Sequence, residues 1–382
     1  MESLCVEGCR NINHSYSLVN QWQLLKLVNF KFKLFHKDLK PPSEYWNPKR
    51  NSGGLNLDQM KIINKIPTPK INKKFDVVYR INFPLNISES NANRVFVFGT
   101  SEYGTTRDFF VGSSIKEACS RDNLIIITPS NWSKIGFLKA GFKENNIRVI
   151  PHGVEPSAFY KSDYANRSIT RKMLNIKSNE FLLLNIGGLT DNKGVDLLLA
   201  AYISLKPKYS NLRLLIKDSS NLYGRRLKDV VDVMTEDKRF QHLDFSKLND
   251  VLTISKNLDI EQMNRIYNSS DAYISPYIAE GFNLPPLEAA ACGVPIVVSS
   301  GGSTDDYFSN KLGLQIRSKK VSSKDDDSIR IFPEFDSLVF CIETLINNNN
   351  YGGKVGSKYV HDLFNWQKIT NLLVESFSST QN

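Results

Sequence analysis

Glu280-Gly-Phe-Asn-Leu-Pro-Pro-Leu-Glu288, continued by Ala-Ala-Ala-Cys-Gly-Val-Pro295, decides how the rest of the 382-residue chain is read. Asp271-Ala-Tyr-Ile-Ser-Pro-Tyr277 before it has the form of a strand running into a loop. Asn283 is of a type that caps helices, and Pro285 and Pro286 are tolerated in a first turn, where amides lack intrahelical partners. Gly293 suits the residue after a helix end, and Pro295 blocks its continuation. A short helix is therefore expected from Leu284 to Cys292, directly after a strand's carboxyl end. Such a helix start attracts anions and polar sugars, and in open α/β sheets ligands bind at strand carboxyl ends. Glu280 precedes the helix and Glu288 lies about one turn inside it, so both carboxylates are expected at one pocket. Vicinal hydroxyls are good partners for carboxylates: Glu288 suits a ribose and Glu280 a transferred sugar.

Upstream, Ile186-Gly187-Gly188-Leu189-Thr190-Asp191-Asn192-Lys193-Gly194 also follows a strand and opens a helix. Paired glycines let backbone approach a ligand, and Lys193 supplies a point charge for a diphosphate. The loop is not a Walker A sequence, because the Lys-Gly order and spacing differ. The expected donor-binding set is Gly187, Gly188, Lys193, Gly281, Phe282, Asn283, Leu284 and Glu288, with Glu280 and Lys193 as the catalytic pair.

Outward from these loops, apolar runs alternate with helical patterns, which argues for βα units and parallel sheets. Strands are expected at Ser3–Glu7, Phe32–His36, Phe75–Ile81, Arg94–Phe98, Leu124–Thr128 and Ile147–Ile150, with helices at Tyr16–Val28 and Asn131–Ala140. A second series runs through Phe181–Ile186, Leu212–Lys217, Val251–Ser255, Ala272–Ser275, Ile296–Ser299 and Gly313–Ile316. Its helices are Val195–Leu205, Asp259–Asn268 and Leu284–Cys292, and a short one is expected near Ile169–Leu174. Pro41–Ile71 reads as an irregular connection holding one short helix, and Lys319–Arg330, with Asp325-Asp326-Asp327, as a solvated loop. Tyr359, Leu363, Trp366, Ile369, Leu373 and Phe377 recur at helical steps, so one terminal helix is expected over Lys358–Phe377. The domain reading is residues 1–160, an N-terminal lobe; 161–355, a second lobe that carries both loops; and 356–382, a terminal helix returning to the first lobe.

Composition sets the class. Hydrophobic residues make up 41% and charged residues 23%, as in ordinary globular proteins. No apolar run reaches the length that spans a bilayer, and the start shows no signal-peptide pattern, so a cytoplasmic protein is expected. Asn86-Ile87-Ser88 and Asn131-Trp132-Ser133 then read as chance sequons. Cys5, Cys9, Cys119, Cys292 and Cys341 are odd in number and irregular in spacing, which favours reduced thiols over disulfides. Cys5 and Cys9 lie near His14, but without a second Cys/His cluster they read as ordinary buried thiols, and no metal is expected. The net charge is +10, with Lys26 to Lys40 and Lys61 to Lys74 as its main early sources. Arginine-aromatic patches of the nucleic-acid-binding kind are absent. An anionic acceptor, or peripheral contact with a membrane through this basic region, stays open.

The chain resembles the retaining GT-B glycosyltransferases of family four, the glycosyl transferases group 1. Glu280 to Glu288 with the following Ala-Cys-Gly-x-Pro resembles that family's two-glutamate motif, and Gly187 to Asp196 its Gly-x-Leu-x-x-x-Lys-Gly-x-Asp loop. Pro129-Ser130 and Ile147-Arg-Val-Ile-Pro-His-Gly-Val154 resemble its hinge approach. The resemblance covers about residues 75–300. It implies two Rossmann-like lobes facing each other across a cleft, a nucleotide-diphosphate sugar donor, a glycan, lipid-linked or protein acceptor, retention of configuration, and no metal or cofactor. It also implies that residues 1–160 are the acceptor-side lobe and 161–355 the nucleotide-sugar-binding lobe. The family often carries Arg where this chain has Gly188, which leaves the helix start, Arg225 or Arg226 to neutralise the diphosphate. His14, Glu102 and Arg80, after first-lobe strands, are the acceptor-side candidates; an N-cap neighbour is the alternative for His14. A non-catalytic sugar-nucleotide-binding protein and a GT-B epimerase are the competing functions.

Overall fold

The computed structural model describes residues 1–40, 54–106, 108–348 and 350–379. The chain forms two compact units. The first holds Met1–Glu155, Ser323–Ser328 and the chain from Phe364 on, and the second holds Pro156–Ser322 and Ile329–Leu363.

The first unit is built on a six-stranded parallel sheet. Its order is Lys33–Asp38, Ser3–Gly8, Val77–Ile81, Arg94–Phe98, Leu124–Thr128, Ile147–Val149. Every residue of Val77–Ile81 and of Leu124–Thr128 is buried. Parallel strands covered on both faces need such unbroken apolar runs, which is why they were legible as strands. Helix Asn131–Lys139 starts where the Ser130 hydroxyl accepts the Ser133 amide at 3.0 Å. Of the polar connection Pro41–Ile71, residues 41–53 lie outside the described residues. Helix Leu57–Asn64 follows, closed by a capping box between Asn56 and Gln59.

The second unit carries its own six-stranded parallel sheet, ordered Leu252–Ile254, Leu212–Asp218, Phe181–Gly187, Ala272–Ser275, Ile296–Ser299, Gly313–Ile316. The chain starts at Phe181–Gly187, adds strands to one side, then returns to pair Ala272–Ser275 against the other side of the first strand. The order thus reverses between these two strands, and each is followed by one of the two loops singled out above. A buried face of Leu183, Leu198, Leu214, Ile216, Ile274 and Leu338 forms the core beneath.

Three expectations are corrected. The terminal segment is two helices, Gly353–Leu363 and Trp366–Ser378. Asn365 breaks it by capping the second helix, its side chain accepting the Lys368 amide at 2.8 Å. Gly353–Leu363 belongs to the second unit, held by Gly353 N–H on the Gly293 carbonyl (2.8 Å) and Ser357 Oγ on the Ala291 carbonyl (2.6 Å). Trp366–Ser378 belongs to the first unit, where Phe377 packs on Tyr79 and Phe96. Lys319–Arg330 is not a plain loop. Strands Ser318–Ser322 and Ile329–Pro333 pair antiparallel, with Asp325-Asp326-Asp327 in their turn. The short helix expected near Ile169–Leu174 is longer, Tyr164–Met173.

One buried ion cluster joins the second unit's opening segment to its sheet. Asp271 accepts Arg167 at 2.6 Å, Arg171 at 3.0 Å and the Leu182 amide at 2.8 Å. Arg171 is 6% exposed. Asp271→Ala leaves that guanidinium buried without its counter-charge, a loss of about 3–5 kcal/mol. The expected result is a matching fall in the urea midpoint; an unchanged midpoint would show that the cluster contributes nothing net.

Candidate functional site

The second unit's site starts from two loops at the carboxyl ends of the strands flanking the order reversal. Phe181–Gly187 ends in Gly187, whose φ of 156° lies at the edge of the glycine-favouring range. Asp191–Lys193 forms one short 3-10 turn, and Gly194 follows with φ 65°. A Cβ on Gly194 would lie 2.0 Å from the Pro276 carbonyl oxygen, so only glycine lets this loop close on the neighbouring one. Asn192 completes the closure. Its side-chain amide donates to the Ala279 carbonyl at 2.9 Å, and its own carbonyl accepts the Ile278 amide at 2.7 Å.

That closure sets Lys193 Nζ 2.7 Å from Glu280 Oε1, with the two side chains 22% and 12% exposed. The sequence reading gave Lys193 to a phosphate and Glu280 to a sugar without pairing them. In the structure they neutralise each other.

Helix Leu284–Ala291 follows Glu280. Asn283 is its N-cap residue, as expected, but its side chain makes no capping hydrogen bond. Its backbone is left-handed (φ 65°, ψ 72°), and its side chain donates to Ser275 Oγ at 2.9 Å. Its carbonyl accepts the Tyr307 hydroxyl at 2.8 Å. With Pro285 and Pro286 lacking N–H groups, the amides of Asn283 and Leu284 are the donors that the first turn presents. Phe282 is 3% exposed, and its ring packs on Tyr307 at 5.2 Å. Its side chain is therefore core. Gly281 is buried beside it.

Glu288 accepts the Tyr267 hydroxyl at 2.7 Å. Burial raises its carboxyl to about 7, although Tyr267 donates to it. The buried Tyr273 hydroxyl, which donates to the Ile186 carbonyl at 3.0 Å, is pushed up chiefly by its own burial. The fields of Glu280 and Glu288 both add to that rise. Tyr267, Tyr273 and Asn192 carried no role in the sequence reading: aromatic residues at strand and helix spacing look like core, and nothing local marks the contact Asn192 makes with Ala279. Lys217 was missed too. It is the penultimate residue of the neighbouring strand and is 5% exposed, with its ammonium on the Asp218 carbonyl at 2.6 Å and its pKa lowered by burial. A charged pair closing an apolar run was the available signal.

In the first unit, His14 is itself the cap of helix Ser15–Leu27, its ring nitrogen accepting the Tyr16 amide at 3.4 Å. The Tyr16 hydroxyl meets Thr100 Oγ1 at 3.1 Å and is pushed up to about 12, mostly by burial, with a smaller contribution from Glu102. His14 and Glu102 are thus gathered around Tyr16, at the carboxyl ends of Ser3–Gly8 and Arg94–Phe98. Arg80 does not join them. It is 6% exposed, and its guanidinium holds Glu7 at 3.0 Å and the carbonyls of Asn86 (3.0 Å) and Ser88 (2.7 Å), a structural staple. Among the described residues no three His, Cys, Asp or Glu side chains could hold a metal ion, and no helix is long and apolar enough to cross a membrane.

The Glu288 carboxyl holds its proton to a higher pH in the folded chain than in the unfolded one, so its own contribution to stability falls as pH rises from about 4.5 through about 7. Unfolding free energies of the parent and Glu288→Gln, measured across that window, are expected to diverge, the parent losing stability relative to the variant. A constant difference would mean that Glu288 titrates as an ordinary glutamate.

Residues 166–327 match the family profile of the glycosyl transferases group 1. A D-inositol 3-phosphate glycosyltransferase of Arthrobacter sp. is 24% identical over 258 residues, 66% of this chain and 55% of the relative. An uncharacterized glycosyltransferase of Methanocaldococcus jannaschii is 23% identical over 236 residues, 61% of this chain and 54% of the relative. The chain thus spans about half the length of these curated relatives. Among solved structures, sucrose-phosphate synthase from Thermosynechococcus elongatus superimposes with a TM-score of 0.68 at 15% identity, covering 99% of this chain and 98% of that one. HepE of Anabaena, solved in complex with UDP-glucose, gives 0.67 at 14% identity over 100% of both chains. The expected α/β class, two parallel-sheet lobes of the GT-B type, is the observed fold. Residues 166–327 are thus similar to the glycosyl transferases group 1, and the chain has a GT-B fold.

Proposed function

We propose that the protein is a retaining, metal-independent hexosyltransferase that moves a sugar from a nucleotide-diphosphate sugar to a hydroxyl of a glycan, lipid-linked or protein acceptor. The observation that carries this reading is the Lys193–Glu280 pair, 2.7 Å apart at the strand-order reversal of the second sheet. A cation for the leaving diphosphate and a carboxylate for the sugar stand side by side there, with the Leu284 helix start next in the chain. HepE, a structural neighbour, was solved with UDP-glucose, which supports a nucleotide-sugar donor.

The chemistry follows from charge. The bond between the anomeric carbon and the phosphate oxygen breaks, negative charge collects on the diphosphate, and positive charge builds on the sugar. Lys193 and the Asn283 and Leu284 amides stabilise the first, and their placement before the reaction is what makes them effective. Glu280 holds the sugar hydroxyls and fixes the ring's orientation. The acceptor oxygen attacks from the side the leaving group departs, and its proton passes to the departing phosphate oxygen. The configuration is retained, and no separate protein base is needed. Glu288, with Tyr267, takes the ribose. An anionic acceptor is favoured by Lys61, Lys65, Lys70, Lys73 and Lys74, of which Lys61 is 70% exposed.

The test is release of nucleoside diphosphate from a panel of nucleotide sugars, with and without crude lipid or glycan acceptors. One donor is expected to turn over. Glu280→Ala should abolish release, and Lys193→Ala should lower kcat about 10²–10³-fold. Glu280→Ala working as well as the parent would overturn the assignment.

A further inference from the structure

We propose that Arg225, reached from the neighbouring strand's loop, is the second cation for the donor diphosphate, a binding residue lying outside both site loops. This rests on the donor reading above and extends it.

Two ionised phosphates need more positive charge than Lys193 provides, since that charge is shared with Glu280. The donor loop has no second cation between Gly187 and Gly194. The segment after Leu212–Asp218 supplies one. Asp218 pairs in register with Gly187, so the chain leaving that strand starts beside the donor loop. It makes a short helix, Ser220–Tyr223, and turns at Gly224 with φ 71°.

Two contacts then fasten it to the loop. The Tyr223 ring lies over Gly188, where an added Cβ would come 2.9 Å from its Cδ2. Arg225 Nη1 donates to Asp191 Oδ1 at 2.5 Å. The first contact sets a ring where a side chain at position 188 would begin, and the second brings a guanidinium to the loop.

Arg225 is held without being used up. Nη1 is its one donor in use; Nε and Nη2 donate to nothing among the described residues. Its side chain is 26% exposed and its partner Asp191 87% exposed. An ion pair so exposed binds weakly, whereas a guanidinium fork matches phosphate oxygens well. Asp191 therefore parks Arg225 at the loop, and an arriving phosphate takes up the vacant donors.

The test is calorimetric titration of the full chain with UDP, GDP and ADP, and with the nucleoside of whichever binds. Arg225→Ala should weaken the diphosphate about ten- to a hundredfold, the order of one charge-assisted contact, and leave the nucleoside's affinity unchanged. Arg225→Lys should restore part of the loss. Equal losses for diphosphate and nucleoside would show a structural role and overturn the proposal, as would no loss at all. If the parent binds none of the three diphosphates, the donor reading fails and this proposal with it. Parent binding that Arg225→Ala leaves intact overturns this proposal alone.

Discussion

Asn192 ties the second unit's two site loops together, and the site depends on that tie. One side-chain amide and one carbonyl connect the loop after Phe181–Gly187 to the segment that leads into Glu280. Gly194 makes the approach sterically open, because any side chain there would run into the Pro276 carbonyl. Neither contact involves a group that does chemistry. Together they bring a lysine and a glutamate, 87 residues apart in sequence, to hydrogen-bonding distance. The sheet supplies the remaining constraint: the two strands behind these loops are neighbours because the order reverses between them. Polar groups at the carboxyl ends of such a pair face the same space.

Charge within the site is balanced before any ligand arrives. Lys193 is matched by Glu280, Arg225 by Asp191, and Glu288 by the Tyr267 hydroxyl and by its own tendency to stay protonated. A site of unpaired charges would be costly to fold. Here each charge rests on a partner, and in the proposed reading diphosphate and sugar would take the places of those partners. Glu288 is strongly perturbed. Burial under the Tyr267 side lifts its carboxyl to about 7, and a ribose would have to be recognised against that background.

The fold was legible in the sequence to the extent that burial is two-sided. Val77–Ile81, Leu124–Thr128 and Ile296–Ser299 are buried at every residue, and such strands announce themselves as apolar runs. Glu280, Glu288 and Lys193 were legible because their neighbours (glycines, prolines, a strand before and a helix after) dictate local geometry. What required the structure was long-range. No local signal says that Tyr267 meets Glu288, that Asn192 reaches Ala279, or that Arg225 meets Asp191. Arg80 misled for the same reason: an arginine ending a strand looks available, until Glu7 and the carbonyls of Asn86 and Ser88 occupy it. The terminal helix misled through periodicity, since the apolar spacing continues across Asn365 while the backbone does not.

The central claim is a division of labour, with the diphosphate on Lys193 and the sugar on Glu280. Comparing the affinity of Glu280→Ala for a nucleoside diphosphate and for the matching nucleotide sugar tests it most directly. The account predicts that the variant keeps or tightens diphosphate binding, because Lys193 is released from its partner, while the extra affinity contributed by the sugar disappears. Equal loss of both ligands would contradict it, and would make Glu280 a support for the loop instead of a partner of the sugar.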